Sequence, residues 1–408
     1  MNKYVIIGGG IASLGCIDAI RENDKDGPVT LICGENVLPY ARPLISYYLE
    51  GKTTIQKMCY RDGEFFTSNN VTVKLGVTAE KINGKTVVCS DGETVEFDKL
   101  LIATGSSPFV PPVEGLDTVE KKFTFMTEDD ALALEKAVDK DTKVLIVGAG
   151  LIGLKCAEGL KERVKKITVC DLADRVLSSI LDADCAQIVA DKLKENGIEL
   201  MLSDSAEVFD GSTAKMKSGK TVDFDVLVMA VGVRPNLKLL KTIGAEINRG
   251  VLVNDKMETS VKDIYAAGDL TEGEDISSST KKVMAILPNA YMGGKCAGYN
   301  MSGREEHFDN QIPMNSIGFF GYHMMTAGSY DGEMYEEKSA DGVKRLYVKD
   351  NRLIGFIILG KVERTGIYTR LIREKVPLDT LDFELIKKNP SLLPFSQKYR
   401  GKNLGGVV

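Results

Sequence analysis

The chain has 408 residues, enough for two or three domains that each bury a core. Its formal net charge of −6 comes with no basic stretch, which argues against nucleic acid or an acidic membrane surface as a partner. No run of about 18 apolar residues occurs and residues 1–10 lack the apolar core and cleavage site of a signal peptide, so no membrane span and a cytoplasmic compartment are expected.

Residues 3–7 form a short apolar run followed by Gly8-Gly9-Gly10-Ile11-Ala12-Ser13, a helical pattern to Asn23 and a β-branched run at 29–33. This order predicts a βαβ unit. In a dinucleotide loop the first glycine makes the turn, the second admits the pyrophosphate and the third lets helix and strand pack closely. Gly8, Gly10 and Ser13 fill these places, and the serine predicts a helix set slightly farther from its strand. Glu35 stands after the second strand, where a carboxylate accepts the ribose hydroxyls. Residues 90–105 then read as a glycine-turn hairpin running into a buried strand.

The same plan returns. An apolar run at 143–147 leads into Gly148-Ala149-Gly150-Leu151-Ile152-Gly153, a helix to Arg163, a strand at 166–170 and the acid Asp171. Residues 218–232 repeat the hairpin and buried strand. An internal repeat of a whole architecture is a far stronger signal than one glycine pattern. The Asp171 carboxylate would repel a 2′-phosphate, which favours NADH, while nearby Arg175 keeps NADPH open. Beyond residue 312 short strands at 344–348 and 353–359 and a helix at 367–375 predict a third, α+β domain, with a tail after Asn389 expected to be mobile.

The eight cysteines stand singly, none at the CxxC spacing of a metal or redox pair. His307 and His323 are the only histidines, so neither a metal site nor a histidine triad is expected.

The two loops, with Leu101-Ile102-Ala103-Thr104-Gly105, Ala230-Val231-Gly232-Val233-Arg234-Pro235-Asn236 and Ile264-Tyr265-Ala266-Ala267-Gly268-Asp269, resemble the pyridine nucleotide-disulfide oxidoreductase superfamily over residues 3–303. The resemblance implies an α/β fold of the glutathione-reductase kind, with two Rossmann-like domains and a C-terminal α+β interface domain. An FAD domain would take 1–112 and 245–312, an NAD domain 113–244 and the interface domain 313–408, with hinges near Val113 and Ala245. FAD would be held by Gly8, Gly10, Ser13, Glu35, Arg42, Pro43, Ala79, Ala103, Thr104, Gly105, Gly268, Asp269, Pro288, Asn289 and Ala290. Asp269 would bond the ribitol chain, Arg42 would approach the phosphates, and the helix entered at Pro288 would lie under the flavin pyrimidine edge. NADH, with NADPH as second choice, would lie on Gly148, Gly150, Leu151, Ile152, Gly153, Asp171 and Gly232.

The segment Pro39-Tyr40-Ala41-Arg42-Pro43-Leu44 resembles the loop near FAD in NADH:rubredoxin reductases, ferredoxin-type reductases and the flavin part of nitrite reductases; where relatives of the disulfide-reducing kind carry cysteine after the first βαβ unit, residues 42–51 here contain none. The implied activity is an NADH oxidoreductase passing electrons from flavin, without a cysteine relay, to a small rubredoxin- or ferredoxin-like protein or a partner subunit. Two alternatives stay open: the flavin subunit of a larger oxidoreductase, and an NADH-responsive redox-sensing protein. A homodimer is compatible with either. Lys155 stands where many relatives have a glutamate facing the nicotinamide; it either lies near the flavin as a catalytic cation or pairs with a carboxylate such as Glu158. The aromatic and methionine cluster at 319–325 is either a contact surface or core.

Overall fold

A computed structural model describes residues 2–395, so the tail expected to be mobile lies from residue 396 on outside the described residues. The chain forms two compact units, one of residues up to Glu272 with Leu287–Phe308, the other of Gly273–Ile286 with the chain from Asp309.

In the first unit, each glycine motif follows the central strand of a five-stranded parallel sheet. The first sheet runs Ile264–Ala266, Lys99–Ile102, Tyr4–Ile7, Val29–Cys33, Val71–Leu75, and the second Lys122–Phe123, Val226–Met229, Lys143–Val147, Lys166–Asp171, Ile198–Leu202. All these neighbours pair in parallel. Tyr4–Ile7 is buried throughout, the near-continuous apolar run that a parallel sheet covered on both faces requires. The repeat extends to detail. In each sheet the edge strand Val71–Leu75 or Ile198–Leu202 leads into a three-stranded antiparallel meander, Ala79–Asn83, Thr86–Cys89, Thr94–Glu96 and Ala206–Asp210, Thr213–Met216, Thr221–Asp223, before the chain returns to the sheet, and both meanders shift register at their first strand. Both meanders turn on glycine in the left-handed region, Gly92 at φ +84° and Gly219 at φ +85°.

Helix Ile11–Asn23 packs against helix Leu287–Met301 at close range. A Cβ on Gly294 would stand 1.9 Å from the Ala12 carbonyl oxygen and one on Gly15 2.3 Å from that of Tyr291, so the two backbones touch where glycine alone leaves room. This contact seats the start of the later helix beside the first glycine loop.

The second unit is built on a five-stranded antiparallel sheet in the order Met314–Phe319, Tyr322–Gly328, Arg352–Leu359, Gly342–Lys349, Glu333–Ser339. Helix Gly366–Arg373 presses Tyr368, Leu371 and Ile372 into a core with Leu346, Phe356 and Ile358. The cluster at 319–325 is the hairpin turn of this sheet: Phe319 and Met324 are buried, while Phe320 at φ +49° and Gly321 make the turn. Among the described residues no helix is long and apolar enough to cross a membrane.

Candidate functional site

A cleft of about 1020 Å³ opens at the C-terminal ends of the first sheet's strands, the position at which open α/β sheets bind ligands. Gly8 turns the chain there at φ +121°, and a Cβ on it would lie 2.1 Å from the Ala103 carbonyl oxygen. In the second loop Gly148 repeats this at φ +118°, with a Cβ 2.2 Å from the Ala230 oxygen. Gly10 and Gly150 cap the following helices, and a Cβ on either would meet nothing within 4 Å. Open space in front of free helix N–H groups is what a pyrophosphate needs.

The third loop position shows how a serine is accommodated. A Cβ on Gly153 would strike the Gly148 oxygen at 2.0 Å. Its counterpart Ser13 is fully buried and its hydroxyl donates to the Gly8 carbonyl, which turns the would-be clash into a hydrogen bond.

The cleft gathers Gly8, Gly10, Glu35, Arg42, Ala79, Ala103, Thr104, Gly105, Gly268, Asp269 and Ala290. It does not gather Ser13, Pro43, Pro288 or Asn289: Ser13 lies behind the loop, Asn289 is buried in its helix, and Pro43 and Pro288 are exposed. Leu287 takes the place expected for Pro288. Glu35 accepts from the Tyr40 hydroxyl at 2.7 Å and pairs with the Arg42 guanidinium. Arg42 also donates to the Met126 carbonyl at 3.2 Å and lies 5.4 Å over the Tyr40 ring. Burial opposes its charge, but Tyr40, Glu35 and Asp269 outweigh that and hold it cationic. Asp269 is half-buried; burial raises its carboxyl above the usual range, against the Ser106 hydroxyl at 3.3 Å and the Arg42 charge. A carboxylate so thinly supplied with donors suits the hydroxyls of a sugar-alcohol chain.

Tyr40, which stands in the segment resembling the loop near FAD but had no role of its own there, is the hub. Its hydroxyl serves Glu35 and also accepts from the Glu128 backbone N–H at 2.8 Å, tying residues 88 positions apart. Tyr60, Met126 and Thr127 also line the cleft and were not foreseen, because each arrives from a segment with no motif of its own, while Asn236 lines it from the motif at 230–236, to which no role for Asn236 had been attached.

At the second loop Asp171 ends its strand and accepts from the backbone N–H of Ala149 at 2.6 Å and of Ala173 at 2.8 Å. A carboxylate offers about four lone-pair sites, so capacity remains for ribose hydroxyls. The Gly232 carbonyl accepts from Phe109 N–H at 2.9 Å. Lys155 has the carboxylate partner that one of its two expected roles called for. It pairs with Glu158, both side chains nearly buried, and its ammonium lies 4.7 Å over the Tyr47 ring; it does not line the cleft. Tyr47 belongs to helix Ile45–Leu49, which packs on helix Leu151–Leu160.

The family model for pyridine nucleotide-disulphide oxidoreductases matches residues 2–294. The chain is 30% identical over 395 residues to the NADH-dependent phenylglyoxylate dehydrogenase subunit epsilon of Aromatoleum evansii, covering 93% of each chain. It is 27% identical over 367 residues to the NADH-rubredoxin oxidoreductase of Clostridium acetobutylicum, covering 88% of this chain and 92% of that one. Its fold matches a chain of a covalent putidaredoxin reductase-putidaredoxin complex with a TM-score of 0.86 at 21% identity, over 94% and 95% of the two chains.

Proposed function

The chain belongs to the pyridine nucleotide-disulphide oxidoreductase family and is an FAD-dependent NAD(P)H oxidoreductase, and from that premise we propose that it takes electrons from NADH and delivers them from flavin, without a cysteine relay, to a protein-borne redox centre. The acceptor class is a small rubredoxin- or ferredoxin-like carrier or a partner subunit. The observation that carries this reading is the chemistry of residues 42–51 and of the cleft. The segment that would hold a redox cysteine forms a 3-10 turn, Arg42–Leu44, and helix Ile45–Leu49, with the Ser46 side chain buried. Cys33, the cysteine lining the cleft, has its thiol pushed up to about 12 by burial and by Glu35, which leaves almost no thiolate to react.

We assign FAD binding to 1–112 and 245–312, although Gly273–Ile286 and residues 309–312 belong to the second compact unit, nicotinamide binding to 113–244, and an interface role to the chain from 313. Bound FAD supplies the capacity to accept a hydride and give up its electrons one at a time. In this assignment Gly8, Gly10 and the helix N-terminus behind them bind its pyrophosphate. Arg42 adds positive charge there and steadies Glu35 for the adenosine ribose. Asp269 accepts from the ribitol chain, and Leu287 and Ala290 bring the positive end of their helix to the flavin edge, where it favours negative charge. Asp171 selects NADH over NADPH, in keeping with the NADH named for both relatives.

A partner subunit is the stronger acceptor within this reading, since the relative matched over 93% of both chains is by name one subunit of a dehydrogenase. Anaerobic titration tests the proposal. NADH should bleach the flavin stoichiometrically, and the oxidised spectrum should return on adding a rubredoxin, a ferredoxin or the proteins that co-purify with the chain. Colourless protein that FAD does not reconstitute, or a flavin that NADH leaves oxidised, would refute it.

A further inference from the structure

After strand Lys99–Ile102 the chain runs through residues 103–105 into strand Ser106–Pro108; after Val226–Met229 it runs through 230–232 into Val233–Pro235. These two exits occupy equivalent places in the repeat and pair with each other, Val233 opposite Pro108, Arg234 opposite Ser107, Pro235 opposite Ser106, antiparallel. The bonds at the two ends of the ribbon match as well: Phe109 N–H donates to Gly232 and Asn236 N–H to Gly105, both at 2.9 Å. The backbone joint is close to symmetric.

Its side chains are not. On one side Phe109 lies 4.5 Å beneath the Arg234 guanidinium. On the other, Asn236 Nδ2 donates to the Thr104 carbonyl at 2.9 Å, its Oδ1 accepts from Ser107 Oγ at 2.8 Å, and its carbonyl accepts from Thr104 Oγ1 at 3.1 Å. Although Asn236 lines the cleft, its amide is committed to the opposite exit strand. A two-stranded ribbon of three residue pairs twists easily and is marginal on its own. Hydride transfer, by contrast, needs its reacting atoms held about 3–3.5 Å apart.

We infer that Asn236 is a positioning residue for hydride transfer, fixing the angle between the two exits so that a nicotinamide held from the second glycine loop meets a flavin held from the first. This rests on the assignment of FAD and NADH to those loops. Three features favour such a role over general stiffening: the amide bonds only the opposite exit, it bonds that exit at two points, Thr104 and Ser107, and the equivalent place in the other exit is filled by an aromatic ring.

The test uses the full-length flavoprotein with Asn236→Ala and Asn236→Asp, the second keeping the acceptor for Ser107 but losing the donor to Thr104. Flavin content and the NADH concentration giving half-maximal reduction should stay near wild type in stopped flow. The limiting rate of flavin reduction should fall about ten- to a hundredfold in both variants. Hydrogen exchange, measured with and without flavin, should speed up at the amides of Phe109 and Asn236. A structural role alone would lower the melting temperature and flavin content without touching the limiting rate of the flavin that remains. An unchanged limiting rate overturns the inference. Should Asn236→Ala lose its flavin, Ser107→Ala, which removes one exposed hydroxyl, is read the same way: a smaller drop supports positioning and no drop overturns it. Failure of the underlying assignment is distinguishable, because then the wild-type protein itself binds no FAD or is not reduced by NADH.

Discussion

Asp171 does two things at one carboxylate. It braces the glycine loop through Ala149 and Ala173, and, in the proposed assignment, it sets a negative charge where a 2′-phosphate would lie. Asp171→Ala should therefore cut NADH efficiency by roughly tenfold, the value of one hydrogen bond to a charged group, while leaving NADPH nearly unchanged. The ratio of kcat/KM for the two nucleotides reads this out, and an unchanged ratio would place the discrimination elsewhere, with Arg175 next to be changed. Lys155 calls for a different expectation. With Glu158 7% exposed and paired to it, Lys155→Met takes away the lysine that a nearly buried carboxylate faces, which costs about 3 kcal/mol. A lowered melting point, largely restored by the double change Lys155→Met with Glu158→Gln, is the expected result. A normal melting point with a shifted flavin potential would instead return Lys155 to the flavin.

Elements carry the next level. Gly294→Val would drive a branched side chain into the Ala12 backbone and wedge apart the helices that bracket the cleft, costing about 3 kcal/mol. Flavin content per chain should drop along with thermal stability, and variants that keep full flavin would show that the two helices can separate freely. Asp263 ties strands together by charge, accepting from Lys85 of the first meander and from Lys99 of the first sheet at 2.6 Å each. Those two hydrogen bonds pull its carboxyl from 3.8 down to about 2. A carboxyl depressed on folding stabilises above its unfolded value and stops doing so as the pH falls through its folded one. Asp263→Asn should thus be less stable by about 1 kcal/mol at neutral pH, the difference closing between pH 3.8 and about 2. Chemical denaturation at pH 7 and pH 2 compares the two. At this scale the sequence was most legible: the glycine loops, the acid after each second strand and the hairpins are set by local rules of turn and period. Tyr40, Met126 and Asn236 were not legible as site residues, because what they bond is decided by strands and helices that approach from up to 132 positions away. Lys155 could be put on its helix but not given its partner, since both a buried carboxylate and a cofactor satisfy a lysine.

For the molecule as a whole, the proposed route, in which electrons leave from flavin alone, makes the cysteines dispensable to turnover. Changing all eight to Ser or Ala should leave NADH-to-dye transfer largely intact wherever the variant folds, and loss of transfer with FAD retained would reveal a thiol step. Most of these thiols are buried, so melting points will fall before chemistry does. The order of strands in the first sheet has one more consequence. Its edge strand Ile264–Ala266 and the helix Leu287–Met301 come from the far side of the inserted second sheet, whereas that second sheet is complete between residues 122 and 229. During synthesis the later sheet can therefore close first, on contacts of short range, while the earlier one waits with its apolar strands exposed until nearly 300 residues have emerged. In the proposed assignment the newborn chain can therefore acquire its nicotinamide module ahead of its flavin module.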